Sequence, residues 1–171
     1  MRDYLFHTKR LNIRPLHSSD IDAFHALQSN EKVMKYTTGR GMTRTENEAD
    51  LKKIIAHYND PNNDFWVWVC ESASRPIFVG TCAIVGTEDG RFEIGYRFLE
   101  AHWGNGYGLE ITEGLIEYAF TKMGLNQLIA YVDEANIYSI RVLEQSRFEF
   151  VKSFFNVDYG TQDRLYQVSK S

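Results

Sequence analysis

The 171-residue sequence predicts a mixed α/β fold in a single domain spanning residues 1–171. Two observations carry that reading. Apolar residues recur at helical spacing up to about residue 58, then switch to the aromatic and β-branched runs "DFWVWVCE", "PIFVGTCAIVG" and "RFEIGYRFL". A later strand–helix–strand order then implies a crossover beside antiparallel hairpins, within a length suited to one core.

The elements follow in order. "RLNIRPL" sets Leu11, Ile13 and Leu16 loosely against polar neighbours and reads as a first strand. In "SSDIDAFHALQ", Ser18 or Ser19 offers an N-cap, and Ile21, Phe24 and Leu27 fall on one helical face. Glu31 to Tyr36 reads as a short second helix and "TTGRGMT" as a loop. The run from Thr45 to Tyr58 is helical and stops at "NDPNND". The three aromatic-rich runs form a meander, its second turn marked by Asp89-Gly90. After "WGNGYGLE" come a helix to about Met123, a strand in "GLNQLIAYVD" and a helix from Asn136 to Glu144. Two terminal strands follow, around "RFEFVKSFF" and "RLYQVSK".

Composition narrows the function. The chain carries 43% apolar and 25% charged residues at a net charge of −4, which disfavours a nucleic-acid surface. No apolar run approaches membrane-spanning length, and "MRDYLFHTKR" has no secretory pattern, so no membrane partner and a cytoplasmic location are expected. Cys70 and Cys82 lie in strand-like runs and read as buried reduced thiols, with a disulfide the second choice. His7, His17, His25, His57 and His102 lack ligand spacing, so no metal is expected.

The segment "WGNGYGLE" is the sharpest local signal. Gly104, Gly106 and Gly108 stand at the start of a long amphipathic helix, where free amides and the helix dipole converge in a manner suited to an anion. A P-loop would need a lysine and a hydroxyl residue that are missing, and a dinucleotide motif would need glycine where Ile111 stands. A plain turn using glycine for positive φ is the competing reading. Along the helix, Glu110, Glu113 and Glu117 form one expected solvent stripe between two apolar flanks.

Three pieces together, "TKRLNIRPL" with Asp20, "FEIGYRFLEAHWGNGYGLE" and "NIYSIRVLEQSRF", resemble the GNAT superfamily of N-acetyltransferases in order and spacing. Within it the sequence looks like the branch of bacterial N-terminal acetyltransferases of ribosomal proteins, RimJ/RimL-like. The resemblance covers nearly the whole chain. It implies a mostly antiparallel twisted sheet of about seven strands with helices on both faces. The strands at 91–99 and 127–132 are implied to splay apart, with the pantetheine arm pairing with the first. Acetyl-CoA is the implied donor, its pyrophosphate on the amides of residues 104 to 109. Trp103, Gly104, Asn105, Gly106, Tyr107, Gly108, Leu109, Asn136 and Ser139 are the implied cofactor-binding residues. Three positions depart from the pattern: Asn105 replaces a common cation, Arg147 a common glycine, and Leu143 a tyrosine acid found in many relatives.

The chemistry assigns further roles. Deprotonating an α-amine of pKa about 8 at pH 7 costs roughly 1.4 kcal/mol, against about 4.6 for a lysine. Glu93 is the candidate base and acceptor contact. It alternates onto the face carrying Arg91, Gly95 and Arg97, and a solvent-facing glutamate paired to arginine is the competing reading. Desolvation would raise its pKa and the arginines would lower it. The thioester oxygen needs a donor, and the resemblance implies a main-chain N–H near Phe98 or Leu99. Ser139 shares one helix face with Asn136, and the resemblance implies that it sits close to the sulfur as candidate donor to the departing thiolate, while Tyr138 points about 100° away around the helix. Asn136 also reads as an N-cap. Tyr36 and Phe65 are candidate walls of the acceptor pocket.

The expected reaction is direct attack of a primary amine on the thioester. A protein N-terminal α-amine is the first choice of acceptor and a small-molecule amine, polyamine or antibiotic, the second. A CoA-binding module without catalysis is the rival class. A monomer or a homodimer fits the resemblance.

Overall fold

The computed structural model describes residues 2–171. A two-residue strand β1 (Phe6–His7) and β2 (Leu11–Pro15) form an N-terminal hairpin. A 3-10 turn at Ser18–Asp20 leads into α1 (Ile21–Gln28), then α2 (Glu31–Met34) and α3 (Arg44–His57). The meander is β3 (Phe65–Ser72), β4 (Phe78–Gly86) and β5 (Phe92–Phe98). A second 3-10 turn and the glycine loop precede α4 (Tyr107–Thr121), followed by β6 (Gln127–Asp133), α5 (Ile137–Gln145), β7 (Glu149–Asn156) and β8 (Thr161–Ser169).

These strands make one sheet in the order β1-β2-β3-β4-β5-β6-β8-β7. It has eight strands where about seven were expected, because β1 is too short for a periodic signal. Every pairing is antiparallel except β5 with β6, which is parallel and has Glu93↔Ile129 as its register pair. The two strands therefore part beyond Glu93, as the resemblance implied.

Apolar cores lie on both faces of the sheet. One is built from strand residues with Ile111, Leu115, Ile116 and Ala119 of α4. The other places Phe24 of α1 and Leu51 and Ile54 of α3 against Val69. Fully burying a Leu or Ile side chain contributes roughly 1.5–3 kcal/mol, so the helical stripes dictate which faces dock. Cys70 and Cys82 are free and buried. No helix among the described residues is long and apolar enough to cross a membrane.

Three local expectations change. Neither Ser18 nor Ser19 caps α1. Asp20 occupies that boundary, where its carboxylate accepts from the His17 amide at 2.8 Å and pairs with Arg14 at 2.9 Å. Arg14 also reaches the buried Glu71 at 2.9 Å, so this charge cluster fastens β2 to β3 and to the turn. The supposed solvent stripe of α4 is also broken. Glu110 is largely covered and accepts from the Thr8 hydroxyl at 2.7 Å and from Arg10 Nε at 2.7 Å. Finally, Arg147 needs no left-handed backbone, since no described non-glycine residue has positive φ. Its amide and Nε donate to Glu113 at 2.9 and 2.7 Å, a side-chain clamp in place of a glycine turn.

Candidate active site

Parting β5 from β6 opens a cleft of about 1050 Å³. Its walls bring together Tyr36 from the end of α2, Phe65 from β3, Glu93 and Phe98 from β5, Trp103, Gly104 and Tyr107 from the loop, and Asn136 and Ser139 from α5. Leu99, Asn105, Gly106, Gly108 and Leu109 lie outside this wall, the last four around the first turn of α4.

Gly104 and Gly106 both adopt φ +77°, the left-handed region in which a side chain would be strained. An added Cβ at Gly104 would meet nothing within 4 Å, and at Gly106 only Arg10 Nη2 at 3.5 Å. No neighbour therefore explains these glycines by crowding; backbone conformation does. The first main-chain amide of the helix with a partner is that of Glu110, which donates to Gly106 at 3.3 Å. The amides of residues 104 to 109 have no acceptor among the described residues. This is a row of unsatisfied donors at the positive end of a fifteen-residue helix. The Asn105 side chain donates to His102 at 2.9 Å and braces the loop.

Glu93 lies on the cleft floor beside Gly95, where an added Cβ would meet nothing within 4 Å. Burial pushes its carboxyl up to about 7, opposed only by the Tyr131 backbone amide. The arginine pairing that would have lowered it does not form. Arg91 is engaged by Asp89 at 2.6 Å, and Arg97 donates to Gln28 Oε1 at 2.5 Å. Desolvation wins.

The Leu99 amide donates to Val79 of the neighbouring chain segment at 3.0 Å, which removes Leu99 as the oxyanion donor. Main-chain groups alternate sides along a strand, so the Phe98 amide points the other way, into the gap beside β5. The Phe98 carbonyl also points there and accepts from Trp103 Nε1 at 2.8 Å.

With this geometry in place, the comparisons decide the family. Residues 10–149 match the family described as Acetyltransferase (GNAT) domain, well over half of the chain. The chain belongs to the GNAT acetyltransferases. An "Uncharacterized N-acetyltransferase p20" of Bacillus licheniformis is 32% identical over 150 residues, spanning 84% of this chain and 81% of that one. Two solved structures share the fold at low identity. The RimL ribosomal L7/L12 α-N-protein acetyltransferase, solved with coenzyme A, superposes at TM-score 0.83 with 13% identity, covering 98% of each chain. A spermidine N-acetyltransferase from Vibrio cholerae, solved with CoA and spermine, gives 0.76 with 18% identity, covering 93% of this chain and 95% of that one.

In this N-acetyltransferase, Asn136 caps α5, its Oδ1 accepting from the Ser139 amide at 3.3 Å. Capping uses only the carbonyl oxygen, and the Asn136 side chain still lines the cleft. Tyr138 is not turned away as helical geometry alone implied: its hydroxyl comes within 3.1 Å of the position of a Cβ at Gly108. The Tyr36 hydroxyl donates to the Ala135 carbonyl at 3.1 Å and bridges the cleft mouth.

Two residues escaped the sequence reading. The Tyr96 hydroxyl is buried, without a hydrogen-bond partner, and lies 3.0 Å from the position of a Cβ at Gly108. Burial pushes its phenol up, opposed by the nearby Ser139 hydroxyl. Arg10 reaches the glycine loop from the N-terminal hairpin, its guanidinium stacked 4.8 Å over the Tyr107 ring and held by Glu110. Tyr96 shares its strand face with Phe92, Ile94 and Phe98, which disguises a functional hydroxyl, and Arg10 is 100 residues from its partner Glu110.

Proposed function

We propose that the chain transfers the acetyl group of acetyl-CoA to a primary amine by direct attack, with a protein N-terminal α-amine as acceptor. The observation that carries this is Glu93, a carboxyl raised to about 7 on the floor of an open cleft, two strand positions from unoccupied space at Gly95. Such a carboxylate is matched to an α-amine of pKa about 8, and is a poor match for lysine at about 10.4.

The free amides of residues 104 to 109 fit a diphosphate, and the Arg10 guanidinium supplies beside them the cation that Asn105 lacks. Glu93 takes the ammonium proton, directly or through one water. The amine nitrogen then bonds to the thioester carbon. Phe98 donates its amide to the carbonyl oxygen on which negative charge gathers, a contribution of about 3 kcal/mol for a typical donor. As the carbon–sulfur bond breaks, the Ser139 and Tyr96 hydroxyls donate to the sulfur, which leaves as a thiolate and takes up the proton that the nitrogen loses on becoming an amide. Tyr36 and Phe65 line the acceptor side of the cleft.

The structures with shared fold include one named for a protein α-amine and one for a polyamine. The test is a thiol-release assay with acetyl-CoA against N-terminal peptides, spermidine and an aminoglycoside. Release with peptide α-amines is expected. Release confined to spermidine or the aminoglycoside would replace the acceptor assignment, and tight acetyl-CoA binding with no release from any amine would favour a binding module.

A further inference from the structure

On the acceptor side of the cleft, one partly buried charge forms no ion pair. Arg97 lies on the same face of β5 as Glu93 and Gly95, two positions beyond the glycine. Its guanidinium is set into the cleft wall, and desolvation pulls its pKa down. Among the described residues it forms no salt bridge within 4.0 Å. Its hydrogen bond is to a neutral acceptor, Gln28 Oε1, at 2.5 Å. Asp50, whose charge favours the ionised guanidinium from further away, is held by Gln28 Nε2 at 3.0 Å. A guanidinium carries five donors, and Arg97 leaves the rest of its fork facing the cleft.

Everything around Arg97 fixes it in place. Gln28 Nε2 also donates to the buried Asn47 at 2.8 Å, so the amide is oriented with its oxygen toward the arginine. A partly desolvated cation without an ion pair gains from an anion that joins it. Of the other cations lining the cleft, Lys32 is paired with Glu100 at 2.9 Å and Lys35 lies over the Tyr36 ring at 5.2 Å.

We infer that Arg97 reads an anionic group on the acceptor, so that the preferred substrates are amines that also carry a carboxylate. At a rise of about 3.3 Å per residue, the strand places Arg97 roughly 7 Å beyond the opening at Gly95. That separation suits an amine over Gly95 with its carboxylate on the guanidinium, either the α-carboxylate of an amino acid or an acidic side chain early in a peptide. A polyamine meets a fixed cation at that position.

This inference rests on the amine acetyltransferase reading above, and the experiment separates the two. The full chain is assayed by thiol release with three matched pairs: aspartate against asparaginamide, an alanine–aspartate peptide amide against its alanine–asparagine counterpart, and N-acetylspermidine against spermidine as amines without carboxylate. The expected result is a kcat/KM about tenfold or more higher for the carboxylate member of the first or second pair, the size of one charge-assisted contact. Which pair responds identifies the source of the carboxylate. Arg97→Met should erase the preference by raising KM for the charged member, and Arg97→Lys should restore part of it, both with wild-type affinity for acetyl-CoA. Equal rates within both pairs, or a preference for spermidine, overturn the inference while leaving acetyl transfer to amines intact. Transfer to none of these amines overturns both. If Arg97→Met fails to fold, the wild-type ratios alone decide.

Discussion

Glu93 is where burial becomes chemistry. Its carboxyl is raised from the usual carboxylate range to about 7, so the folded protein binds that proton more tightly than the unfolded chain. The associated stability is present below the unfolded value of about 4.5 and is lost as pH rises through 7. Glu93→Gln should therefore gain stability relative to wild type between pH 5 and pH 8, by up to about 3 kcal/mol, read from urea melts at the two pH values. The same substitution should remove the limb near pH 7 from the kcat/KM profile. An unchanged profile would mean that Glu93 is not the base. The position of Glu93 was legible from strand alternation, but its pKa was not, because the outcome depended on where Arg91 and Arg97 spend their charge. Asp89 captures the first and Gln28 the second, and neither contact has a sequence signature. Tyr96 shows the converse: alternation groups it with Phe92, Ile94 and Phe98, yet nothing in the sequence says that its hydroxyl is left without a partner.

At the scale of the element, the loop from Trp103 to Gly108 and the helix it opens form one device. Two glycines at φ +77° turn successive amides outward, and α4 is anchored at that end by Glu110 to the N-terminal hairpin. Gly106→Val puts a β-branched residue in left-handed backbone, at a cost of roughly 1–2 kcal/mol, and places bulk beside the free amides. It should weaken acetyl-CoA binding at least tenfold by calorimetry while the protein remains folded, and unchanged affinity would mean that the loop is only a turn. Arg10→Gln should weaken binding more modestly and reduce its salt dependence, as an exposed, screened cation would. The glycines and the helix were legible because their pattern is local. Arg10 was not, because only the sheet's closure brings the β1–β2 hairpin to the head of α4. Likewise Arg147 departs from the family pattern but is accommodated by Glu113, a pairing across 34 residues.

For the whole molecule, the decisive feature is that β5 and β6 run parallel and touch at Glu93 and Ile129 before parting. A parallel pair needs a crossover, and α4 is that crossover, so the anion site and the cleft are consequences of one connection. The antiparallel meander followed from periodicity and turn chemistry, whereas the placing of β8 between β6 and β7 has no local signal. The splaying came from the family resemblance, since no residue pattern announces a missing ladder. Ligand linkage gives a global test of this architecture. Acetyl-CoA at a hundred times its Kd should stabilise the fold by about 2.7 kcal/mol, raising Tm by roughly 5–10 °C, and the Gly106→Val protein should lose about half of that shift or more at the same concentration. The central claim concerns the diphosphate, and the most direct measurement compares acetyl-CoA with acetyl-pantetheine, which keeps the thioester arm but lacks the diphosphate, for binding to the wild-type protein. Acetyl-pantetheine is predicted to bind at least a hundredfold more weakly. Equal affinities would contradict the account, because the amides at the head of α4 would then be contributing nothing to recognition.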